Sequence, residues 1–270
     1  MSATDPTPPG ARHAQYRRER VRVAIGMLAV SAAAWLYMLL DAHHMRSEGM
    51  ADMWMPPTGG GAWSARDFAG VFFMWSVMMV AMMMPSATPA AVMFTTVNRQ
   101  RALRSQNSVS TAYFAAGYLT AWVAFSALLT LGQWPLHYFS LLTPMMDNDS
   151  RWLAGGVLAL AGLYQWTPWK DACLNQCRSP MGFLLTRWRE GRAGAVLMGL
   201  DHGAFCVGCC FALMAMMFAV GVMNMLWTVL IALFVLGEKV FPLDTRTLRH
   251  VSGLAFLLWG GWLIASAPTA

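Results

Sequence analysis

Apolar runs separated by short polar, cation-bearing stretches recur along nearly the whole 270-residue chain. A helix needs roughly 20 apolar residues to cross about 30 Å of hydrocarbon. The runs predict helices at 22–40, 67–95, 112–131, 151–167, 194–219, 223–239 and 249–266. They imply an all-α, polytopic transmembrane helical bundle of about seven spans. A six-span version, with 194–239 folded as a re-entrant pair around the turn at Gly221 and Asn224, fits the same pattern. Residues 1–21 read as a disordered, basic cytoplasmic leader, 22–266 as one membrane domain and 267–270 as a tail. The leader lacks a small-residue cleavage site after a short apolar core, so the first run reads as a retained helix.

Composition sharpens this picture. The chain is 57% hydrophobic and 12% charged, whereas soluble domains carry about a quarter charged residues. Its net charge of +6 is dispersed in short clusters between apolar runs, which argues against a nucleic-acid surface. The clusters report orientation instead, because Lys and Arg concentrate in cytoplasmic loops. Arg12, Arg17, Arg18, Arg20 and Arg22 precede the first span. Alternate loops then carry Arg99, Arg101 and Arg104; Lys170, Arg178, Arg187, Arg189 and Arg192; and Lys239, Arg246 and Arg249. The loop at 132–150 has no Lys or Arg, and the one at 41–66 balances Arg46 and Arg66 with Asp41, Glu48 and Asp52. The N-terminus is therefore expected inside.

Against this apolar background, "DHGAFCVGCC" (Asp201 to Cys210) stands out. On a helix of 3.6 residues per turn, His202, Cys206 and Cys209 follow as i, i+4 and i+7 and share one stripe, with Cys210 at its border. Polar side chains are expensive in hydrocarbon, so Asp201 and His202 should face the bundle interior. Gly199, Gly203 and Gly208 read as close-packing positions. A second thiol pair lies in "TPWKDACLNQCRSP". Thr167 as N-cap, Pro168 as first residue and Pro180 as stop predict a short helix that places Cys173 and Cys177 one turn apart. Thiols on the cytoplasmic side stay reduced, which favours metal or redox chemistry over a structural disulfide. Sets of thiolate and imidazole ligands suit Cu(I) or Zn(II). One shared site requires the short helix to tuck inward, while two sites or a relay do not. Glu238, at a depth similar to His202, is a candidate acceptor for its ring N–H.

Methionine supplies softer donors. "FMWSVMMVAMMMPSATP" holds six of the chain's 23 methionines, with Met74, Met78 and Met82 in one helical row. Thioethers bind Cu(I) and neglect Zn(II), so the row is either a path for a soft metal or packing that fills gaps between helices. Pro85 and Pro89 should kink or end that helix. His43, His44, Met45, Met50, Met53 and Met55 read equally as an outer His/Met group, donors that survive in an oxidising space, and as a mobile loop that carries these residues by chance.

Taken together, "MWSVMMVAMMMPSATP", "GLYQWTPWKDACLNQCRSP", "GLDHGAFCVGCCFALM", "GVMN" and "LGEKVFP" resemble a family of bacterial predicted metal-binding integral membrane proteins, some with a copper chaperone-like label. The resemblance covers about residues 66–265. It implies a metal role for Cys173, Cys177, His202, Cys206, Cys209 and Cys210; apart from the resemblance, the residues themselves offer Asp201, Glu238, Met78, Met82, His43 and His44 as secondary candidates. It also implies a multi-pass location in the bacterial inner membrane. The leading expectation is a lipid-embedded protein that binds, traffics or inserts copper, with zinc as the second choice, for a metal chaperone or metalloprotein client. Two alternatives remain beside it. One is a membrane thiol-disulfide oxidoreductase using Cys206/Cys209 and Cys173/Cys177, and the other a non-catalytic accessory or assembly subunit. No nucleophile triad, phosphate-cradling loop or dinucleotide fingerprint is present, which disfavours hydrolases and nucleotide-driven pumps.

Overall fold

The computed structural model describes residues 9–47, 55–102, 108–240 and 245–267. Among these the regular structure is helical, with α1 (Pro9–Ser47), α2 (Ala65–Ala102), α3 (Thr111–Tyr138), α4 (Arg151–Gln165), α5 (Pro168–Arg178), α6 (Pro180–Thr186), α7 (Gly191–Ala215), α8 (Met217–Val220), α9 (Met225–Val240) and α10 (Thr245–Ala265). No strand occurs among the described residues; Leu142 and Asn148 form one isolated bridge. Among the described residues five helical stretches are long and apolar enough to cross a membrane: Gln15–His44, Ala65–Ala102, Thr111–Tyr138, Gly191–Val220 and Arg246–Ala265. The predicted runs at 151–167 and 223–239 appear as α4 and α9, of 15 and 16 residues.

Two boundaries differ from expectation for physical reasons. The leader is helical from Pro9 onward rather than disordered. Its Ala, Arg, Glu and Gln residues are strong helix formers, and extending an existing helix costs far less than nucleating one. Within this stretch Glu19 pairs with Arg99 of α2 at 2.6 Å. The second span, in turn, continues through Pro85 and Pro89 to Ala102. Proline has no N–H to give the carbonyl four residues earlier, so Pro85 frees the carbonyl of Ala81. Ser31 of α1 donates its hydroxyl to that oxygen at 2.8 Å. Around this bond the face of α1 carrying Met27, Ser31 and Ala34 is buried against α2.

The closest helix contacts run through glycine. Gly117 of α3 lies on the Val196 carbonyl of α7, and Gly199 of α7 lies on the Phe114 carbonyl of α3, so closely that a Cβ at either position would overlap the facing backbone. Gly203 abuts Ala121 and Tyr118. The α4–α10 pair repeats the device with Gly155 against Gly260 and Gly162 against Gly253. In lipid, where helices gain little from the hydrophobic effect, such approach supplies the van der Waals contact that holds them together. The resulting core is rich in α2 methionines, with Met78, Met79, Met82, Met83 and Met84 all buried.

Replacing Gly117 or Gly199 with valine therefore forces α3 and α7 apart. Each substitution should lower thermal stability of the detergent-solubilised protein by at least the ~1–3 kcal/mol typical of overpacking. Gly132→Val meets open space and should leave the melting curve unchanged.

Candidate metal centre

The short helix α5 is built as its sequence predicts. Thr167 caps it by accepting from the Lys170 N–H, and Pro168 occupies its first turn. Its register sends Lys170, Cys173, Leu174 and Cys177 inward at i, i+3, i+4 and i+7, and Lys170 and Leu174 are fully buried. Trp169 and Asp171 face out. Two ion pairs hold the helix inward. Lys170 Nζ sits 2.9 Å from both carboxylate oxygens of Glu238 on α9, with both side chains almost wholly buried. Asp171 pairs with Arg249 of α10, whose Nε also donates to the Gln165 carbonyl at 2.7 Å.

This tuck sets α5 against the thiol stripe of α7. Cys177 Sγ and Cys209 Sγ are 3.9 Å apart, and Cys173 Sγ packs on Gly208, 2.8 Å from where a Cβ would stand. The Tyr164 hydroxyl bonds the Gly208 carbonyl at 2.5 Å, fixing α4 to the same point. Cys206 and Cys210 lie one turn apart on α7; Cys209 and Cys210 both donate to the Cys206 carbonyl, at 3.1 and 2.8 Å. All five cysteines are free thiols; Cys206, Cys209 and Cys210 are buried, while Cys173 and Cys177 are half-buried. On α5, burial and the adjacent Cys209 push the Cys173 thiol pKa up.

Three groups that carried no metal expectation complete the cluster. Lys239 of α9 donates to Cys206 Sγ at 2.8 Å and approaches Cys210 Sγ at 3.7 Å. The Tyr118 hydroxyl lies 3.0 Å from Cys206 Sγ and donates to the Met83 carbonyl at 3.2 Å. Lys170 occupies Glu238. Lys239 was legible only as a cation at the end of a span, because its stem reaches from the helix end back into the bundle. Neither tyrosine nor Lys170 carries a sequence signal for this site.

The other expected residues fall in several places. His202 is buried on the Cys206 stripe, its ring within 5.2–6.0 Å of Phe183, Phe114 and Tyr118. Its Nδ1 has no hydrogen-bond partner. Glu238 does not serve His202 as expected, since both its oxygens meet the closer and oppositely charged Lys170. Asp201 is part-exposed and forms an ion pair with Arg189 at 3.2 Å, at the edge of the cluster. Met78 and Met82 are buried on α2. His43 and His44 are exposed on the last turns of α1. Met50 and Met53 of the outer His/Met group lie outside the described residues.

Among the described residues, no three His, Cys, Asp or Glu side chains stand as a ready-made ligand set. A pair does. Two sulfurs each about 2.3 Å from one metal are separated by about 3.8 Å at a tetrahedral angle and about 4.6 Å in line. The Cys177–Cys209 separation of 3.9 Å falls inside that window, and well beyond the ~2.05 Å of a disulfide. The donor set is soft and is shut off from water on the α7 side, which suits Cu(I).

Residues 72–263 match a family model, PpoB2, described as a copper chaperone. No curated protein and no solved structure matches the chain.

The Lys170–Glu238 pair makes the cluster testable as architecture. Removing one partner from a buried pair typically costs 3–5 kcal/mol, while replacing both by apolar residues is often neutral. Lys170→Met should therefore destabilise the protein and raise the reactivity of Cys177 and Cys209 toward a maleimide. The double variant K170M/E238M should recover most of the loss in melting temperature.

Proposed function

The chain belongs to the copper chaperone family represented by that model, and from this premise we propose that it is a multi-pass protein of the bacterial inner membrane that holds Cu(I) at the thiol cluster and passes it to a metalloprotein client. One observation carries the reading: α5 and α7, distant in sequence, put Cys177 and Cys209 at a spacing suited to one shared ion. Cys206, Cys210 and Cys173 surround that pair as further sulfur donors, and His202 adds a buried imidazole with an unpartnered nitrogen. Supply of several alternative donors fits a carrier, since a cargo ion must exchange ligands to leave.

Charge supports copper over zinc. Two thiolates around Cu(I) leave one net negative charge, and Lys239 stands 2.8 Å from Cys206 Sγ to offset it. Two thiolates around Zn(II) are already neutral and leave a nearby lysine no charge to offset. In this reading seven helices span the bilayer with the N-terminus inside, following the alternation of Lys and Arg between loops.

Purified wild-type protein, reconstituted under reducing conditions with Cu(I), should retain the metal after desalting. The C177S/C209S variant should lose it by elemental analysis; retention undiminished in that variant removes the reading. Lys239→Met should weaken Cu(I) binding at least tenfold in a competition titration with a chelator of known affinity, about 1.4 kcal/mol. A thiol-disulfide exchange role makes the opposite demand: Cys177 and Cys209 would have to cycle through a disulfide, which thiol trapping of the protein in cells would reveal.

A further inference from the structure

Away from the thiols, a cavity of about 320 Å³ opens between α1, α2, the 139–150 loop and the start of α9. Its wall carries Met38 of α1, Met74 and Met78 of α2, Met146 of the loop, and Met223 and Met225 at the entry to α9. Six of the fourteen lining residues are thus methionine, against 23 of 270 in the whole chain. Methionine is favoured inside proteins because it fills irregular gaps, and Met78 and Met146 do pack into the core; the same side chains also border a cavity that the described residues leave unfilled. The loop is held over this space by backbone structure: Met146 sits in a left-handed conformation, φ 61°, and its carbonyl accepts from the Val222 N–H at 3.1 Å. Asn148 donates to the Phe218 carbonyl at 2.8 Å on the same seam.

The chemistry of the wall selects its occupant. Thioether sulfur is neutral and soft, binds Cu(I) well and binds hard divalent cations poorly. Among the described residues Asp41 is the one carboxylate on the wall, enough to offset a single positive charge but short of the oxygen set that Ca(II) or Mg(II) requires. An apolar organic ligand would be met equally well by leucine or valine and gives no reason for sulfur.

We propose that this cavity is a thioether site for a soft monovalent cation, Cu(I), separate from the thiol cluster. The two are joined by α2. Met78 on the cavity wall is followed one turn later by buried Met82, and the carbonyl of the next residue, Met83, receives the Tyr118 hydroxyl that touches Cys206 Sγ. Five residues from Met78 to Met83 rise about 7.5 Å along a helix. Passage from cavity to thiols exchanges sulfur–copper bonds to thioether for bonds to thiolate, leaves the ion as Cu(I), and releases to solvent the proton of each thiol that binds. That passage rests on the reading of the thiol cluster as a metal site; occupancy of the cavity does not.

The test uses full-length protein in detergent and Ag(I), a redox-inert soft cation. Met→Leu changes conserve volume, so the M74L/M78L/M223L/M225L variant should melt like wild type. It should retain one Ag(I) fewer per chain after desalting, with its thiol-bound silver intact. In the variant with all five cysteines changed to serine, X-ray absorption of bound Ag(I) should show sulfur neighbours, which only thioethers can then supply. Equal silver in the four-leucine variant and wild type overturns the proposal, as does a shell of oxygen or nitrogen alone in the cysteine-free protein. Should the thiol cluster bind no metal, the cysteine-free protein would retain as much Ag(I) as wild type, and the loss on Met→Leu would still identify the cavity as a site.

Discussion

The buried contact between Lys170 and Glu238 is what makes the rest of the centre possible. A helix of eleven residues is too short to cross a membrane by itself, so its place depends on what it pairs with. Desolvating an ammonium and a carboxylate is costly, and the cost is recovered only when the two meet at good geometry. Here both oxygens of Glu238 contact Lys170 Nζ, which ties α5 to α9 in one register. With Asp171 on Arg249 at the outer edge, the helix is clamped from two sides and its thiols can face only α7. In the proposed reading, the thiol cluster would owe its arrangement to an ion pair that itself supplies no ligand.

The membrane imposes a second condition, that every backbone polar group find a partner inside the protein. Where Pro85 frees the Ala81 carbonyl, Ser31 answers it; the Met83 carbonyl, nearby on α2, also takes the Tyr118 hydroxyl. These bonds have consequences beyond satisfaction. The first fastens α1, the least buried of the five candidate spans, to the methionine-rich α2. The second orients the tyrosine whose oxygen lies against Cys206. Glycine contacts between α3 and α7 then bring Tyr118 within reach of the thiols at all. Satisfying the backbone and building the site are one structural act at this point in the bundle.

The donors are sulfur almost throughout, arranged in two kinds of environment. Thiols gather where a lysine can balance the charge of a thiolate complex, and thioethers gather around a cavity with a single carboxylate. In the reading proposed above, neutral ligands at one place and anionic ones at the other would give a soft cation a gradient of affinity over a short length of α2.

Periodicity alone placed the helices, because an apolar run of spanning length has few other stable forms in lipid. It also placed Cys206, Cys209 and His202 on one stripe and Cys173 and Cys177 on one turn, since residue spacing dictates helical faces. Thr167 and Pro168 announced α5 through capping chemistry that acts within four residues. Sequence could not reveal whether α5 tucks inward, because that depends on Glu238, 68 positions beyond Lys170. The same limit hid Lys239 and Tyr118 from the cluster and made Glu238 look like a partner for His202. Local patterns determine which face a residue occupies; only the packed bundle decides which faces meet, because ion pairs, glycine contacts and freed carbonyls join positions that share no segment of chain.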